Sequence, residues 1–510
     1  MPDESVPDAA AGLRAANARL RDVVAGLEEL AAERELRRLL ELRMAELERR
    51  LGMDSTNSGT PTSKEGIAAG AERRARQRSE RERSKDRKPG GQPGHPGSGL
   101  ARDPAPGERK PADPPAECRR CSAALGGAAV AGRRWAQSWD VEVTRKVTEW
   151  LLPGLSCPCC GEVTFAVPPP GLHAGSVSYG PGLTAVAVLL TAYGNVPPER
   201  AAQVIGMMGG FPVSAGWVDK ASSRLSAGLE KAGLDEAMTA ALASRPVLAA
   251  DETPVSVASR GGDAQEEKEA AGAPHVLVVR TPDGDLTWLT AIASRRKEAV
   301  GGGIPGAFTG FLMADGYPGY QHLLDRIAGI QQCCQHVIRR CRAVEPLGPG
   351  SLQSWAGGVI TILRDARRAV EEARARGDTA LDQQVLDDLR ERYDAATETG
   401  RVHNRLRDWH DGNHPGYVLA CWLRDYKEQV FLFTRDFNVD WTTNVVERGA
   451  KAAKRHQAVS GYRHTLATLA RWCRIRSYLD SARAHGLTAM QAIRDALDAN
   501  PWLPPLPALS

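Results

Sequence analysis

Three acidic residues that are far apart in the sequence have the settings that a divalent-metal site needs. Asp251 follows the apolar run 246–250, and Asp315 follows the apolar run 310–314, so each is expected to close a short buried strand. Such a strand fixes the backbone while the carboxylate projects past the sheet edge. Glu447, expected on a helix packed over the sheet, is the candidate third acid. The pattern predicts a metal site at the rim of a sheet.

Basic residues follow Glu447 at helical spacing. Lys451, Lys454 and Arg455 come four, seven and eight positions after it, so one helix face would carry the acid beside three cations that suit phosphate. A metal-binding acid next to phosphate-binding cations suits phosphodiester chemistry. Taken singly, however, each of the three acids is more often a solvated strand or helix end.

Cysteine spacing indicates a second metal site. Cys118-x-x-Cys121 and, further on, Cys157-Pro-Cys159-Cys160 form two knuckles, and four thiolates can bind Zn²⁺ tetrahedrally. Cys159 is a spare thiol that could replace Cys160. An alternating apolar stretch between the pairs is expected to supply what core this zinc domain has: Trp139, Val141, Val143, Val147, Trp150 and Leu152. The alternative is four buried, reduced cysteines.

The N-terminal region is expected to carry no packed core, because aromatic residues are absent before Trp135. Heptad spacing within residues 9–51 predicts a short coiled coil, in which Asn17 would fix register and partner number. Self-association is favoured over a helix packed on its own chain. Residues 53–117, with nine prolines, read as a linker. Its stretch 72–88 holds nine Arg or Lys against four acids and suits phosphate contacts, although a solvated charge run fits equally well.

In the rest of the chain, the spacing of the apolar residues changes twice. Residues 182–244 have helical spacing around a glycine-bearing turn, which fits either a DNA-reading helix pair or the core of a helical bundle. After Pro246 the pattern becomes that of strands joined by hairpins, with the acidic, glycine-rich segment 261–272 as a long loop. Residues 351–409 and 444–497 return to helical spacing.

Composition excludes several classes of protein. Of the 510 residues, 42% are apolar, which is enough for a sizeable core, and the formal net charge is only +4. No run approaches the roughly 18 apolar residues that a membrane span needs, and the N-terminus lacks a signal-peptide pattern. Ten cysteines are too few for a disulfide scaffold. The expected location is the cytoplasm, with no membrane partner.

An ordered set of motifs resembles the insertion sequence 66 family of bacterial transposases, from about Leu13 to Leu497. After the zipper-like helix and before the cysteine pairs come Asn57-Ser58 and the segment Arg87-Lys-Pro-Gly-Gly-Gln-Pro-Gly-His-Pro-Gly97. The later motifs are Ala250-Asp-Glu-Thr-Pro-Val255, Ala314-Asp-Gly-Tyr317, Cys333-x-x-His336 with Arg339-Arg340, and Asn444-x-x-Glu-Arg448. The specificity lies in the order of the set, since any single motif is weak.

This resemblance implies a multidomain α/β protein with a ribonuclease H-like mixed-sheet catalytic core of the DDE type. Asp251, Asp315 and Glu447 would bind two Mg²⁺ or Mn²⁺ ions. Cys333 and His336 would serve packing or substrate positioning and not metal binding. The implied domains are a coiled coil (1–52), a basic linker (53–117), a zinc domain (118–165), a helical DNA-binding or pre-catalytic region (166–245), the first part of the core (246–350), a helical insertion (351–410) and the last part of the core (411–510).

The implied function is DNA transposition, in which the enzyme cuts the ends of an insertion sequence and transfers the 3′ ends to target DNA. The partners would be terminal inverted repeats, target DNA, a second copy of the chain through the coiled coil, and accessory transposition proteins, near the bacterial nucleoid. The expected phosphate contacts are Lys451, Lys454, Arg455, Arg463, Arg471 and Arg474. The rival functions are a zinc-dependent DNA-binding regulator without catalysis, a metal-dependent nuclease without strand transfer, and an inactive relic.

Overall fold

The computed structural model describes residues 19–20, 99–169, 171–258, 273–407, 409 and 412–505. The predicted coiled coil (apart from Arg19 and Leu20), the linker up to residue 98 and the loop 261–272 lie outside these residues. The chain divides into two compact units. The smaller comprises Glu72–Pro168 and Met207–Phe211, and the larger includes Pro169–Gly206 and Pro212–Ser510. No helix in the described part of the chain is long and apolar enough to cross a membrane.

The smaller unit contains one short antiparallel hairpin. Its strands are β1 (Gly154–Ser156) and β2 (Val163–Phe165), in which Gly154 lies opposite Phe165. The alternating stretch before this hairpin does not form the small core that the sequence predicts. Described residues 129–153 contain no regular strand, and Trp139 and Val141 are 58% and 83% exposed. A stretch of alternating apolar residues buries one of its faces only where another layer of the protein covers that face. The hairpin, whose strands have three residues each, offers no such layer, so the predicted core does not form and that prediction is wrong.

The larger unit is built on a five-stranded mixed sheet. In chain order its strands are β3 (Val247–Pro254), β4 (His275–Arg280), β5 (Thr287–Ile292), β6 (Phe311–Ala314) and β7 (Gly329–Gln332). Their order across the sheet is β5-β4-β3-β6-β7. Strand β3 pairs antiparallel with β4, which pairs antiparallel with β5, whereas β3–β6 and β6–β7 are parallel pairs.

The strands form where the sequence is apolar and rich in β-branched residues. In β4 the four consecutive residues 276–279 are buried, so both faces of the sheet are covered at this strand. The predicted turn at Pro282-Asp283-Gly284 connects β4 to β5. Gly284 adopts a φ of +84°, which glycine tolerates without steric cost, and a Cβ there would approach the Arg280 guanidinium within 2.6 Å.

Helices from the C-terminal part of the chain cover the sheet. They are α12 (Asn444–Ser460) and α13 (Leu466–Ala484). The last helix, α14 (Ala489–Leu497), packs on α13 and on helices that precede the sheet. Helix α12 contacts β3 and β4, and α13 runs along β5. The edge strand β5 donates its Leu289 and Thr287 N–H groups to Ser477 Oγ (2.7 Å) and Ser481 Oγ (3.0 Å) of α13. These serines satisfy backbone groups that an uncovered edge would present to another chain.

The predicted helical region before the sheet forms part of a bundle. Its helices are α1 (Pro181–Val188), the π-helical turn Leu189–Tyr193, α2 (Pro198–Gly209), α3 (Ala215–Lys231) and α4 (Leu234–Ala243). Helix α3 packs on α1, α13 and α14. Ser214 caps α3 by accepting the Trp217 N–H, and α3 buries Val218, Leu225 and Leu229. This packing uses the apolar face of α3 in the bundle core.

Further helices connect the later strands to one another and connect β7 to α12. The short helices α5 (Lys297–Val300) and α6 (Gly303–Ala307) precede β6, and the 3₁₀ turn Pro318–Leu323 follows it. After β7 come α7 (Cys334–Val344), α8 (Gly350–Arg376), α9 (Gln383–Asn404), α10 (Pro415–Asp425), α11 (Lys427–Val430) and the 3₁₀ turn Leu432–Thr434. Helices α8 and α9 pack together and bury Trp355 and Tyr393, and their side chains join the core under the sheet.

Candidate active site

Two of the predicted acids lie on neighbouring parallel strands. Strand β3 pairs with β6 in the register Val247–Phe311 to Ala249–Met313. Asp315 is the residue after β6, and counting two steps on from Ala249–Met313 puts it level with Asp251. Asp251 does not close its strand as predicted. Pairing with β4 carries β3 on to Pro254, so the acid lies inside the central strand. The prediction failed because the polar Asp251 ends the apolar run without ending the ladder, which continues to Pro254.

The third acid reaches the same region on helix α12. Glu447 lies in the first turn of α12, which packs across β3 and β4. Gly449 permits a close approach, because a Cβ there would lie 2.7 Å from Val278 Cγ1 on β4. The helix therefore brings Glu447 toward the strand that carries Asp251.

The carboxyl groups interact electrostatically. Burial, together with the negative charges of Glu252, Asp315 and Glu447, raises the pKa of Asp251 from its ordinary value of 3.8 to about 7. The charge of His336 opposes this effect. The negative charges of the other two predicted acids thus both act on Asp251. A divalent cation would relieve that repulsion.

Arg295 joins two of these acids. Its guanidinium forms ion pairs with Glu252 Oε1 and with Asp315 Oδ2 (3.4 Å), and it stacks 3.9 Å from the centre of the Tyr317 ring. Burial and the charge of Asp315 raise the pKa of Glu252, against the Arg295 charge and the hydrogen bond from Tyr320 Oη to Oε2 (2.6 Å). The Tyr317 N–H also donates to Asp315 Oδ1 at 3.0 Å. These contacts hold the Asp315 carboxylate in place.

The other side of the cluster includes an arginine and a cysteine–histidine pair. Arg339 Nη2 donates to Glu447 Oε1 at 3.3 Å. Cys333 Sγ accepts the N–H of Thr443, the residue before α12. Burial alone would lower the pKa of His336, but its hydrogen bond with Cys333 raises the pKa on balance. The Cys333–His336 pair therefore links α7 to the start of the helix that carries Glu447.

The acids do not form a completed metal-ligand shell. Within the described ranges, no group of three or more His, Cys, Asp or Glu side chains is placed to hold a metal ion. Arg295 and Arg339 each occupy an oxygen of Asp315 or Glu447 instead. The donor set nevertheless fits Mg²⁺ or Mn²⁺, because carboxylate oxygens are the ligands these ions prefer and the negative charges of three neighbouring carboxylates act on Asp251.

The predicted phosphate contacts separate into two groups. Lys451 and Arg455 are exposed on α12. Lys454 is partly buried, and its Nζ donates to the Pro254 carbonyl at 2.9 Å. Arg463 lines a small cavity beside Trp472, and burial lowers its pKa to about 10. Its Nε is buried and has no hydrogen-bond partner among the residues that the structure describes. Lys451 and Arg455 are thus the two of these four that present an exposed cation.

Arg471 and Arg474 bind acids of the helical bundle. Arg471 Nη1 lies 2.9 Å from Asp219 Oδ1, and Arg474 Nη2 lies 2.7 Å from Asp235 Oδ2. These ion pairs connect α13 to α3 and to α4. That both arginines contact phosphate stays a prediction, and in this structure each guanidinium has a carboxylate partner.

The two cysteine pairs of the smaller unit share one backbone conformation. The Cys118 N–H donates to the Ala123 carbonyl (2.9 Å) and the Ser122 N–H donates to the Cys118 carbonyl (2.9 Å). Cys157 forms the equivalent bonds with Glu162 (2.8 Å) and Gly161 (2.9 Å). The residue after the second cysteine has a positive φ in both turns, 54° at Ser122 and 77° at Gly161.

These turns favour the thiolate form of their first cysteine. Hydrogen bonds from the backbone of Arg120 and Cys121 lower the pKa of Cys118, and those from Cys160 and Cys159 lower the pKa of Cys157. The two pairs thus share both the turn and its effect on the first thiol. The described residues do not bring the two pairs together as one group of ligands.

Some site residues were missed by sequence reasoning. Glu252, Tyr320 and Arg295 form a connected network at the acids, yet none was singled out. A signal existed for Arg295, which begins the basic run Arg295-Arg-Lys297 directly after β5. Nothing in a single sequence distinguishes Tyr320 from other buried tyrosines.

The fold and site define a mixed α/β protein with carboxyl groups clustered across two adjacent strands and one helix. The model of the Transposase IS66 family matches residues 176–469, which is more than half of the chain. The chain therefore belongs to the IS66 transposase family. A second model, for a family of unknown function (DUF6444), matches residues 2–101. No curated protein matches the chain.

Proposed function

We propose that this family member is a DDE-type DNA transposase with a ribonuclease H-like core, in which Asp251, Asp315 and Glu447 bind the catalytic metal ions. The observation that carries the proposal is the placement of Asp251 among the charges of the other two acids, on strands and a helix that are distant in sequence. The mixed sheet and the helices between β7 and α12 support the core assignment. Family membership supports DNA as the substrate.

The protein's own side chains would position the reacting DNA. Asp251 and Asp315 would hold ions from adjacent strands, and Glu447 from the first turn of α12. Bound Mg²⁺ or Mn²⁺ would polarise the scissile phosphodiester and activate the attacking water or 3′-hydroxyl. Arg295 and Arg339 would keep two carboxylates oriented, and the exposed Lys451 and Arg455 would contact DNA phosphates.

The test of this function is cleavage and joining by the full-length protein. DNA carrying the inverted repeats that flank the gene would be incubated with Mg²⁺ and the parent, Asp251→Asn, Asp315→Asn or Glu447→Gln. Asp325→Asn, which changes an exposed acid, is the matched control. We expect loss of nicking in the three site variants alone. The catalytic assignment is wrong if all variants nick at the parental rate.

A second readout separates transposition from hydrolysis. A 3′-labelled element end should become joined to supercoiled plasmid in the parental reaction. Nicking without joined product would instead identify a metal-dependent nuclease. Binding of end DNA without either product would identify a DNA-binding regulator or an inactive relic.

We also propose that Cys118, Cys121, Cys157 and Cys160 bind one structural Zn²⁺. The matching backbone turns and the lowered pKa values of Cys118 and Cys157 support this, because zinc binds the thiolate form. The purified chain should contain about one zinc ion per chain by elemental analysis. Cys118→Ser should remove the zinc, whereas Cys159→Ser should retain it. Equal zinc content in the two variants would contradict the ligand assignment.

The other proposed properties follow from the same function. The N-terminal segment would form a homo-oligomer through a coiled coil, and the protein would act at the nucleoid in the cytoplasm with accessory proteins. Light scattering of the full chain and of a chain lacking residues 1–52 tests the oligomer. If both forms contain the same number of chains per particle, the role of that segment is contradicted.

A further inference from the structure

A cavity of about 380 Å³ lies beside the first turn of α12. Asn444 and Val445 line it from α12, and Trp441 lines it from the preceding loop. None of the clustered acids Asp251, Glu252, Asp315 and Glu447 is among the lining residues. The cavity is thus a different site from the acid cluster, although one helical turn contributes to both. Its volume is in the range of small-ligand sites.

Four arginines line this cavity, and two of them are already neutralised. Arg367 Nε lies 2.7 Å from Glu371 Oε1, and its guanidinium stacks over Trp441 at 4.8 Å from the ring centre. Arg374 lies 3.9 Å from Asp440 Oδ1. The remaining two arginines are Arg280 and Arg448.

Arg280 and Arg448 have no carboxylate within ion-pair distance in the described part of the chain. Arg280 donates to the backbone carbonyls of Val445 (3.2 Å) and Gly284 (3.4 Å), but its Nε is buried and no described residue accepts a hydrogen bond from it. Burial lowers the pKa of Arg280, and the positive charge of Arg448 lowers it further, against Asp480 and Asp283. Asp283 also lines the cavity, where its carboxylate accepts hydrogen bonds from the Thr281 hydroxyl and the Asp285 N–H.

The helix end adds to this positive field. No side chain caps α12 at Thr443, so the first turn presents backbone N–H groups that lack a side-chain acceptor. A helix N-terminus favours anions, because the peptide dipoles leave partial positive charge there. The unpaired arginines and the helix end all border one cavity, and phosphate is the anion that arginine forks bind best.

We propose that this cavity binds a phosphate group between Arg280, Arg448 and the N-terminus of α12. The phosphate could come from a phosphodiester of the DNA strand beside the acid cluster, and that source rests on the proposed function. It could also come from a free nucleotide, which does not depend on the proposed function. The chemistry of recognition is the same in both cases.

The experiment uses the full-length chain and two probes, a 30-base-pair duplex of arbitrary sequence and deoxyadenosine monophosphate. The variants are Arg448→Gln and Arg448→Lys, and Arg368→Gln is the matched control. Arg368 lies next to Arg367 on α8, is exposed and pairs with Asp365, but does not line the cavity. Arg448 is exposed too, so its replacement should leave the fold intact, and circular dichroism verifies this.

For a DNA phosphodiester, Arg448→Gln should weaken duplex binding about tenfold and reduce the slope of log affinity against log salt by about 1, with partial recovery in Arg448→Lys. For a free nucleotide, the parent and Arg368→Gln should bind deoxyadenosine monophosphate, and Arg448→Gln should not. If Arg448→Gln matches Arg368→Gln with both probes, the proposal is overturned. Nicking by the acid variants is scored separately, so failure of catalysis leaves this result interpretable.

Discussion

Replacing Asp251 by Asn should stabilise the metal-free protein at alkaline pH. The pKa of the Asp251 carboxyl is about 7 in the folded chain, against an ordinary value of 3.8. Between these pH values the folded state keeps a proton that the unfolded state has released. The contribution of this carboxyl to the free energy of unfolding of the parent therefore falls by about 1.4 kcal/mol for each rise of one pH unit across that interval.

Because the interval spans about three pH units, the total change in the free energy of unfolding from this carboxyl is at most about 4 kcal/mol. Because this carboxyl has a raised pKa, its destabilising contribution is absent below about pH 4 and complete above about pH 7. Asn carries no charge in either state, so Asp251→Asn removes the whole pH-dependent contribution. We therefore expect a larger gain in stability at pH 8 than at pH 5.

Thermal unfolding in EDTA, followed by circular dichroism at pH 5 and pH 8, measures this difference. Asp325→Asn serves as the control, because it changes an exposed acid outside the cluster. Added Mg²⁺ at about ten times its dissociation constant should stabilise the parent at pH 8 by about 1.4 kcal/mol and Asp251→Asn by less. The reasoning is refuted if the gain from Asp251→Asn is the same at both pH values or absent at pH 8.

Three further changes test the packing around the site. Burial lowers the pKa of His456 to about 3, so the contribution of this one residue to stability should fall as pH drops from about 6.5 toward 3. His456→Gln lacks that contribution, so its stability relative to the parent should rise over the same range in thermal melts; a difference that does not change with pH would contradict it. Ser477→Ala leaves the buried Leu289 N–H without its acceptor and should cost about 1 to 3 kcal/mol in urea unfolding, where no shift in midpoint would argue against the edge contact. Gly449→Ala places a Cβ within 2.7 Å of Val278 Cγ1, so it should lower the free energy of unfolding by about 1 to 3 kcal/mol and slow nicking. Unchanged stability would show that α12 does not pack closely against β4.

Local sequence signals were enough to predict the strands and most helices around the site. The apolar runs before Asp251 and Asp315 appear as parts of β3 and β6, and the turn at Pro282 joins two antiparallel strands as expected. Helical spacing after residue 350 corresponds to α8 and α9. These predictions succeed because burial of alternating or periodic apolar residues decides local structure.

Partners distant in sequence could not be predicted. Arg474 was expected to contact phosphate because it is a basic residue, but its acid partners lie on α3 and α4, more than 200 residues earlier. The pairing of Arg295 with Asp315 likewise depends on how β5 and β6 are placed around the central strand. Which cation meets which acid is decided by tertiary packing, and one sequence carries no direct signal for it.

The central claim is that Asp251, Asp315 and Glu447 form one divalent-ion site. Electron paramagnetic resonance of Mn²⁺ titrated into the full-length protein measures free and bound ion directly. The account predicts bound Mn²⁺ in the parent and in Asp325→Asn, with affinity at least tenfold weaker in each of Asp251→Asn, Asp315→Asn and Glu447→Gln, since each removes a charged ligand. Parental Mn²⁺ affinity in all three site variants would contradict it.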